Sequence, residues 1–133
     1  MVSEFPAGLS RDEVQYLMQI NDDVVHLERV DGPAAMWKVS VSVEGADPVH
    51  MLADNGINEI YFQVFVQIDV DHIVEALRVL QPYATVGLTL MNDSLFIRSA
   101  FYLEFSNMHA LSNTLRAVAL AYRAYQRATV HVG

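Results

Sequence analysis

Residues Ile60 to Ile68 alternate with a period of two, and that commits the stretch to a β-strand. Ile60, Phe62, Val64, Val66 and Ile68 face one way, and Tyr61, Gln63, Phe65 and Gln67 face the other. Large apolar side chains stand on both sides. A second strand shows a cleaner division. Trp37, Val39, Val41 and Val43 alternate with Lys38, Ser40 and Ser42, so one face is buried and the other wet. Trp37, the only tryptophan, lies on the buried side and reads as core.

Around these strands the period changes. Ser10 and Glu13 have the spacing of a capping box, and Leu9 and Val14 that of a hydrophobic staple. They predict a helix with Val14, Leu17, Met18 and, less well aligned, Ile20 as its buried stripe, ended by Asn21, Asp22 and Asp23. Val24 to Val30 reads as a strand, and Asp31-Gly32-Pro33 as a turn. Val49 to Ala53 is ambiguous, and Asp54-Asn55-Gly56 is a further turn. A second helix carries Val70, Ile73, Val74, Leu77 and Leu80, with Asp69 or Asp71 as N-cap and Pro82 as its stop. Thr85–Met91 and Leu95–Phe105 read as a hairpin joined at Asn92-Asp93-Ser94. Ser106 or Asn107 then caps a helix with Leu111, Leu115, Val118, Tyr122 and Tyr125 along one side.

The expected architecture is α+β, in the order α-β-β-β-α-β-β-α. Consecutive strands imply a mainly antiparallel sheet with helices packed on one face. The chain reads as a single domain, 1–133, with tails at 1–9 and 128–133. Strands of this kind leave open what covers the second face. Tyr61 and Phe65, with Phe96, Ala100 and Tyr102, form either a partner surface or a layer wrapped by helices.

Composition narrows the function classes. Hydrophobic residues make up 53% of the chain, and the mean hydropathy is +0.22. Both exclude a disordered chain and point to apolar surface that a dimer interface would absorb. The formal net charge of −8, with scattered basic residues, argues against nucleic acid and anionic membranes as partners. There is no cysteine, which removes disulfides, thiol catalysis and Cys-ligated zinc. Met1 to Gly8 lacks the pattern of a signal peptide, and no apolar run reaches membrane-spanning length. The expected compartment is the cytoplasm.

Chemical motifs are sparse. His26, His50, His72, His109 and His131 show no metal-ligand spacing, and they read as scattered surface histidines. Asp69, Asp71 and His72 form the densest polar cluster. They could bind a metal or act as acid and base, but carboxylates at a helix start also cap free N–H groups. Asp54 to Glu59 lacks the spacing of a calcium loop. No phosphate loop, dinucleotide fingerprint or nucleophile elbow occurs, and no cofactor is implied.

The chain from about Ile60 to Tyr125 resembles the YbjN family. The resemblance lies in the strand Ile60–Ile68, the helix Val70–Leu80, the hairpin from Val86 through Asn92-Asp93-Ser94 to Ile97, and a last helix opening near Asn107 with Leu111 and Leu115. Gln81-Pro82-Tyr83 stands where the family tends to carry an Asn/Trp-containing segment, and the hairpin turn lacks the family's common glycine. The resemblance implies a fold like that of type III secretion chaperones and a role as a sensory-transduction regulator. Chaperone relatives pair as homodimers and hold extended segments of partner proteins; no catalytic residue carries over. The leading expectation is therefore a non-enzymatic, dimeric, chaperone-like or regulatory protein-interaction module, with Tyr61, Phe65, Phe96, Tyr102 and Tyr122 as its contact residues. The alternative is a small-ligand sensor or enzyme with a pocket between sheet and helices near Asp69, Asp71 and His72. A structural subunit of a larger complex is a third possibility.

Overall fold

The structure is a computed structural model that describes residues 8–31, 36–67, 72–104 and 106–132. Helix α1, Arg11–Ile20, opens on the predicted capping box. The Glu13 amide donates to Ser10 Oγ at 3.1 Å, and the Ser10 amide donates to Glu13 Oε1 at 3.0 Å. Two orphan donors are thereby satisfied. Val14 and Met18 are buried, whereas Ile20 is exposed, because the stripe has rotated away from the core by the last turn.

Four strands follow: β1 Val24–Val30, β2 Met36–Val41, β3 Val49–Asn55 and β4 Glu59–Val66. The ambiguous segment is thus a strand, and its alternate residues Val49, Met51 and Ala53 are buried. Helix α2, Ile73–Leu80, leads to the hairpin β5 Gly87–Met91 and β6 Ser94–Tyr102, and α3 spans Met108–Val132. The class is α+β, with β3 adding a sixth strand.

Met91 pairs with Ser94, so the hairpin loop is the dipeptide Asn92-Asp93. Both have positive φ, 48° and 64°. Asn and Asp tolerate that conformation, which suits the twist of a two-residue hairpin without any glycine. The Ala110 amide donates to Asn107 Oδ1 at 2.9 Å, which makes Asn107 the cap of α3. That helix continues through Val132, into the stretch 128–133 expected as a tail.

The sheet is antiparallel throughout, in the order β1-β2-β3-β4-β6-β5. Its register stacks Trp37 beside Ala53, Ala53 beside Phe62, and Phe62 beside Ser99. This face meets the helices. The Trp37 indole donates to Gln15 Oε1 on α1 at 3.1 Å, and the Tyr125 hydroxyl on α3 donates to the Gln67 carbonyl at 3.0 Å. Leu111, Leu115 and Val118 of α3 complete a core in which Phe62 and Phe101 meet edge-to-face at 6.4 Å. Burying a side chain of that size contributes roughly 1.5–3 kcal/mol. Arg11 ties α1 to the β3–β4 turn, donating to Asn55 Oδ1 at 3.1 Å and to the Gly56 carbonyl at 2.7 Å.

Candidate functional site

Side chains one residue out of phase with the core point to the other face of the sheet. The described helices pack on the core side, so no described helix covers this second face. It divides into two halves with different chemistry.

The half built on β4, β6 and β5 is aromatic. Phe65 lies directly opposite Phe96, and the rings meet edge-to-face at 5.8 Å. Tyr61 lies opposite Ala100, with Tyr102 one pleat further along β6. Phe65 and Tyr102 are 55% and 64% exposed, while Tyr61 and Phe96 are half-buried. Four of the five expected contact residues therefore share one surface. Tyr122 does not join them. It sits on α3, half-buried against the core and 6.1 Å from the Tyr125 ring, because its helical stripe faces the sheet's opposite side.

Polar groups lie among the rings. The Arg98 guanidinium stacks over the Tyr61 ring, 3.7 Å from its centroid. Such a contact exploits the negative face of the ring. The Tyr61 hydroxyl donates to Glu59 Oε1 at 2.7 Å. That bond, followed by the cost of desolvating a phenolate, holds the Tyr61 pKa above its usual value. Gln63 is directly opposite Arg98, and both carry a buried atom without a hydrogen-bond partner, Gln63 Oε1 and Arg98 Nε.

The half built on β1, β2 and β3 is polar. The ladder places His26 opposite Ser40 and Ser40 opposite His50, in one row across three strands. Ser40 Oγ and His50 Nδ1 are 2.7 Å apart. Glu28 lies opposite Lys38 in the next row, but its carboxylate approaches His26, at 3.8 Å. A concavity of about 450 Å³ opens here, with His26, Lys38, Ser40 and His50 among its lining. Local spacing along the chain could not show this row, since residues 26, 40 and 50 meet only through strand register. The alternation in β2 did mark Lys38 and Ser40 as facing outward.

The pocket expected near Asp69, Asp71 and His72 is a different place. Asp69 and Asp71 lie outside the described residues, and His72 stands at the N-terminal boundary of α2. Among the described residues, no three His, Asp or Glu side chains group as metal ligands. No helix is long and apolar enough to cross a membrane, again among the described residues.

The Ser40–His50 contact has the distance of a nucleophile–base pair. No carboxylate among the described residues approaches His50 to orient it, and β2 is hydrogen-bonded on both sides, so its amides are not free to serve an oxyanion. Among the described residues the row lacks the remaining parts of an acyl-transfer site. Comparison with protein-family models, curated proteins and solved structures finds no match for the chain.

Proposed function

We propose that the chain is a non-catalytic, cytoplasmic interaction module of the chaperone-like type that the YbjN resemblance implies, and that it pairs with a second copy of itself through the aromatic half of its open face. The observation that carries this reading is the exposure of Phe65 and Tyr102 on a face that no described helix covers. Aromatic side chains are favoured in interface cores. Elsewhere a chain of net charge −8 repels its own copy. Here the exposed patch holds one cation, Arg98, and one anion, Glu59. A two-fold axis between them would set Arg98 of each copy against Glu59 of the other.

Size sets the expected strength. Three strands about 4.8 Å apart and roughly seven residues long cover about 300 Å² in projection. A stable pair needs roughly 800 Å² per partner, so this dimer dissociates at low concentration. The sheet edges support a further role. β1 is guarded by a bulge near Val24 and by the charges of Glu28 and Arg29. β5, Gly87–Met91, carries no charge and no proline, and its Leu90 is exposed. An extended segment of a partner protein can add to such an edge.

Light scattering behind a sizing column tests the pairing. At high micromolar concentration the mass should approach twice 14.9 kDa and fall on dilution. Phe65→Ser with Tyr102→Ser should hold it at the monomer value without changing the fold. A monomer mass for the natural chain at high concentration refutes the proposal.

A further inference from the structure

The turn between β3 and β4 holds the one Asn-Gly step in the chain, Asn55-Gly56. Asparagine is a thermally labile residue. A following glycine leaves its own main-chain nitrogen open to approach, because no Cβ shields it. That nitrogen can attack the asparagine side chain. The packing also requires a glycine here. An added Cβ at residue 56 would meet Glu59 Oε1 at 2.5 Å and Tyr61 Cε2 at 2.8 Å. Those two side chains are bonded to each other, so neither swings aside without loss of that bond.

Around this labile step the structure places four restraints. The Gly56 amide donates to the Glu59 carbonyl at 2.7 Å. Arg11 Nε donates to Asn55 Oδ1 at 3.1 Å. Arginine only donates, so this bond fixes which way the carboxamide points. Arg11 Nη2 donates to the Gly56 carbonyl at 2.7 Å and to the Ile57 carbonyl at 3.0 Å. Three of the four restraints thus come from one side chain on α1, at least 44 residues away in sequence.

We infer that Asn55-Gly56 is a site of spontaneous covalent modification, and that Arg11 sets its rate by restraining the reacting groups. The chemistry needs only water. The Gly56 nitrogen gives up its proton and bonds to Asn55 Cγ. The Cγ–Nδ2 bond breaks, and the amide nitrogen takes up that proton and leaves as ammonia. A five-membered imide remains. Water opens it at one carbonyl to give aspartate, or at the other to give isoaspartate, in which the main chain runs through Cβ. Every restraint opposes the first step. The bond to Glu59 keeps the proton on the nitrogen, the bond to Oδ1 holds the carboxamide, and the two carbonyl bonds resist rotation of the peptide. Isoaspartate would add a main-chain carbon where Asn55 pairs with Ile60, so the turn could not close as it does. The site does not depend on self-pairing.

The full chain is held in mildly alkaline buffer, once folded and once in urea. Peptide mapping by mass spectrometry reads a gain of one mass unit at Asn55, and an isoaspartate-specific methylation assay reads the rerouted product. The gain should appear in urea and be roughly tenfold slower or more in the folded chain, where the turn must first open. Arg11→Gln should raise the folded rate about fivefold or more, because bonds from a charged donor oppose the rotation. Ser10→Ala is the control. It removes the cap of α1 and lowers the thermal midpoint but keeps Arg11, so it should leave the rate within about twofold. Asn58, in the same turn but followed by Glu59, should stay unchanged. The proposal is overturned by the absence of a gain in urea or by equal rates folded and unfolded. It is overturned as well by an unchanged rate in Arg11→Gln, or by a rise as large in Ser10→Ala.

Discussion

Replacing Gln63 by Met should stabilise the protein. Gln63 is 5% exposed, and its Oε1 is buried without a partner. An acceptor taken out of water and left unpaired costs about 1–3 kcal/mol. Methionine has nearly the same length and volume and buries no polar atom, so it fills the site without overpacking. The expected gain is about 1–2 kcal/mol, the lower part of that penalty, because the displaced amide nitrogen gives up some solvation. A chain of this length unfolds with an entropy near 0.28 kcal/mol/K, so the midpoint should rise by about 4–7 °C. Circular dichroism at 222 nm during heating gives the midpoint, and urea titration gives the free energy at constant slope. Gln67→Met at an exposed position is the control, expected within about 0.5 kcal/mol of the natural chain. A fall in midpoint for Gln63→Met would refute the reasoning. It would mean that the amide pairs in solution with Arg98, directly across the ladder, and that both buried atoms are satisfied at once.

Two more outcomes follow from local geometry. Gly8 has φ +100°, and an added Cβ would meet the Leu103 carbonyl oxygen at 1.9 Å. Gly8→Ala should therefore displace the Leu9 amide from that oxygen, now 2.8 Å away, and lower stability by at least about 1 kcal/mol in the same thermal assay. The Tyr61 phenol, followed by absorbance at 295 nm, should titrate above the usual tyrosine value, because its bond to Glu59 favours the neutral form. A raised folded pKa stabilises below the ordinary tyrosine value and fades as pH rises through the folded one, so any effect belongs to the alkaline limb; Glu59→Gln should bring the titration down.

Much of the fold was legible because its signals are local. The capping box at Ser10 and Glu13, the alternation through Trp37 and Phe62, and the turn at Asn92-Asp93 each lie within a few residues. β3 was not separable from a loop. Pro48 and the polar run after Ala53 frame only a short apolar alternation, and its partners on β2 and β4 are what hold it. That these aromatic residues share a face was legible by parity, since one strand period assigns Tyr61 and Phe65 to one side. That Tyr122 lies apart from them was not legible, for a related reason. A helix stripe shows which residues share a side, but not which side of a sheet that stripe meets. The row His26, Ser40 and His50 was hidden completely, because strand register is a property of pairing rather than of sequence distance.

The two edges of the sheet show where the chain guards itself and where it does not. Both β1 and β5 present unpaired amides and carbonyls, a general hazard for soluble sheets. At β1 the hazard is met by a bulge between Val24 and His26 and by alternating charge at Glu28 and Arg29. At β5 none of these devices is present, and exposed Leu90, on the face of Leu88 and Ile97, adds apolar surface to that edge. A monomer with this edge and this face would be exposed to uncontrolled pairing. The proposed partner on the aromatic half would remove that exposure, whereas the β1 edge carries its own guards. The asymmetry of the edges supports the proposed protein contact on β4, β6 and β5.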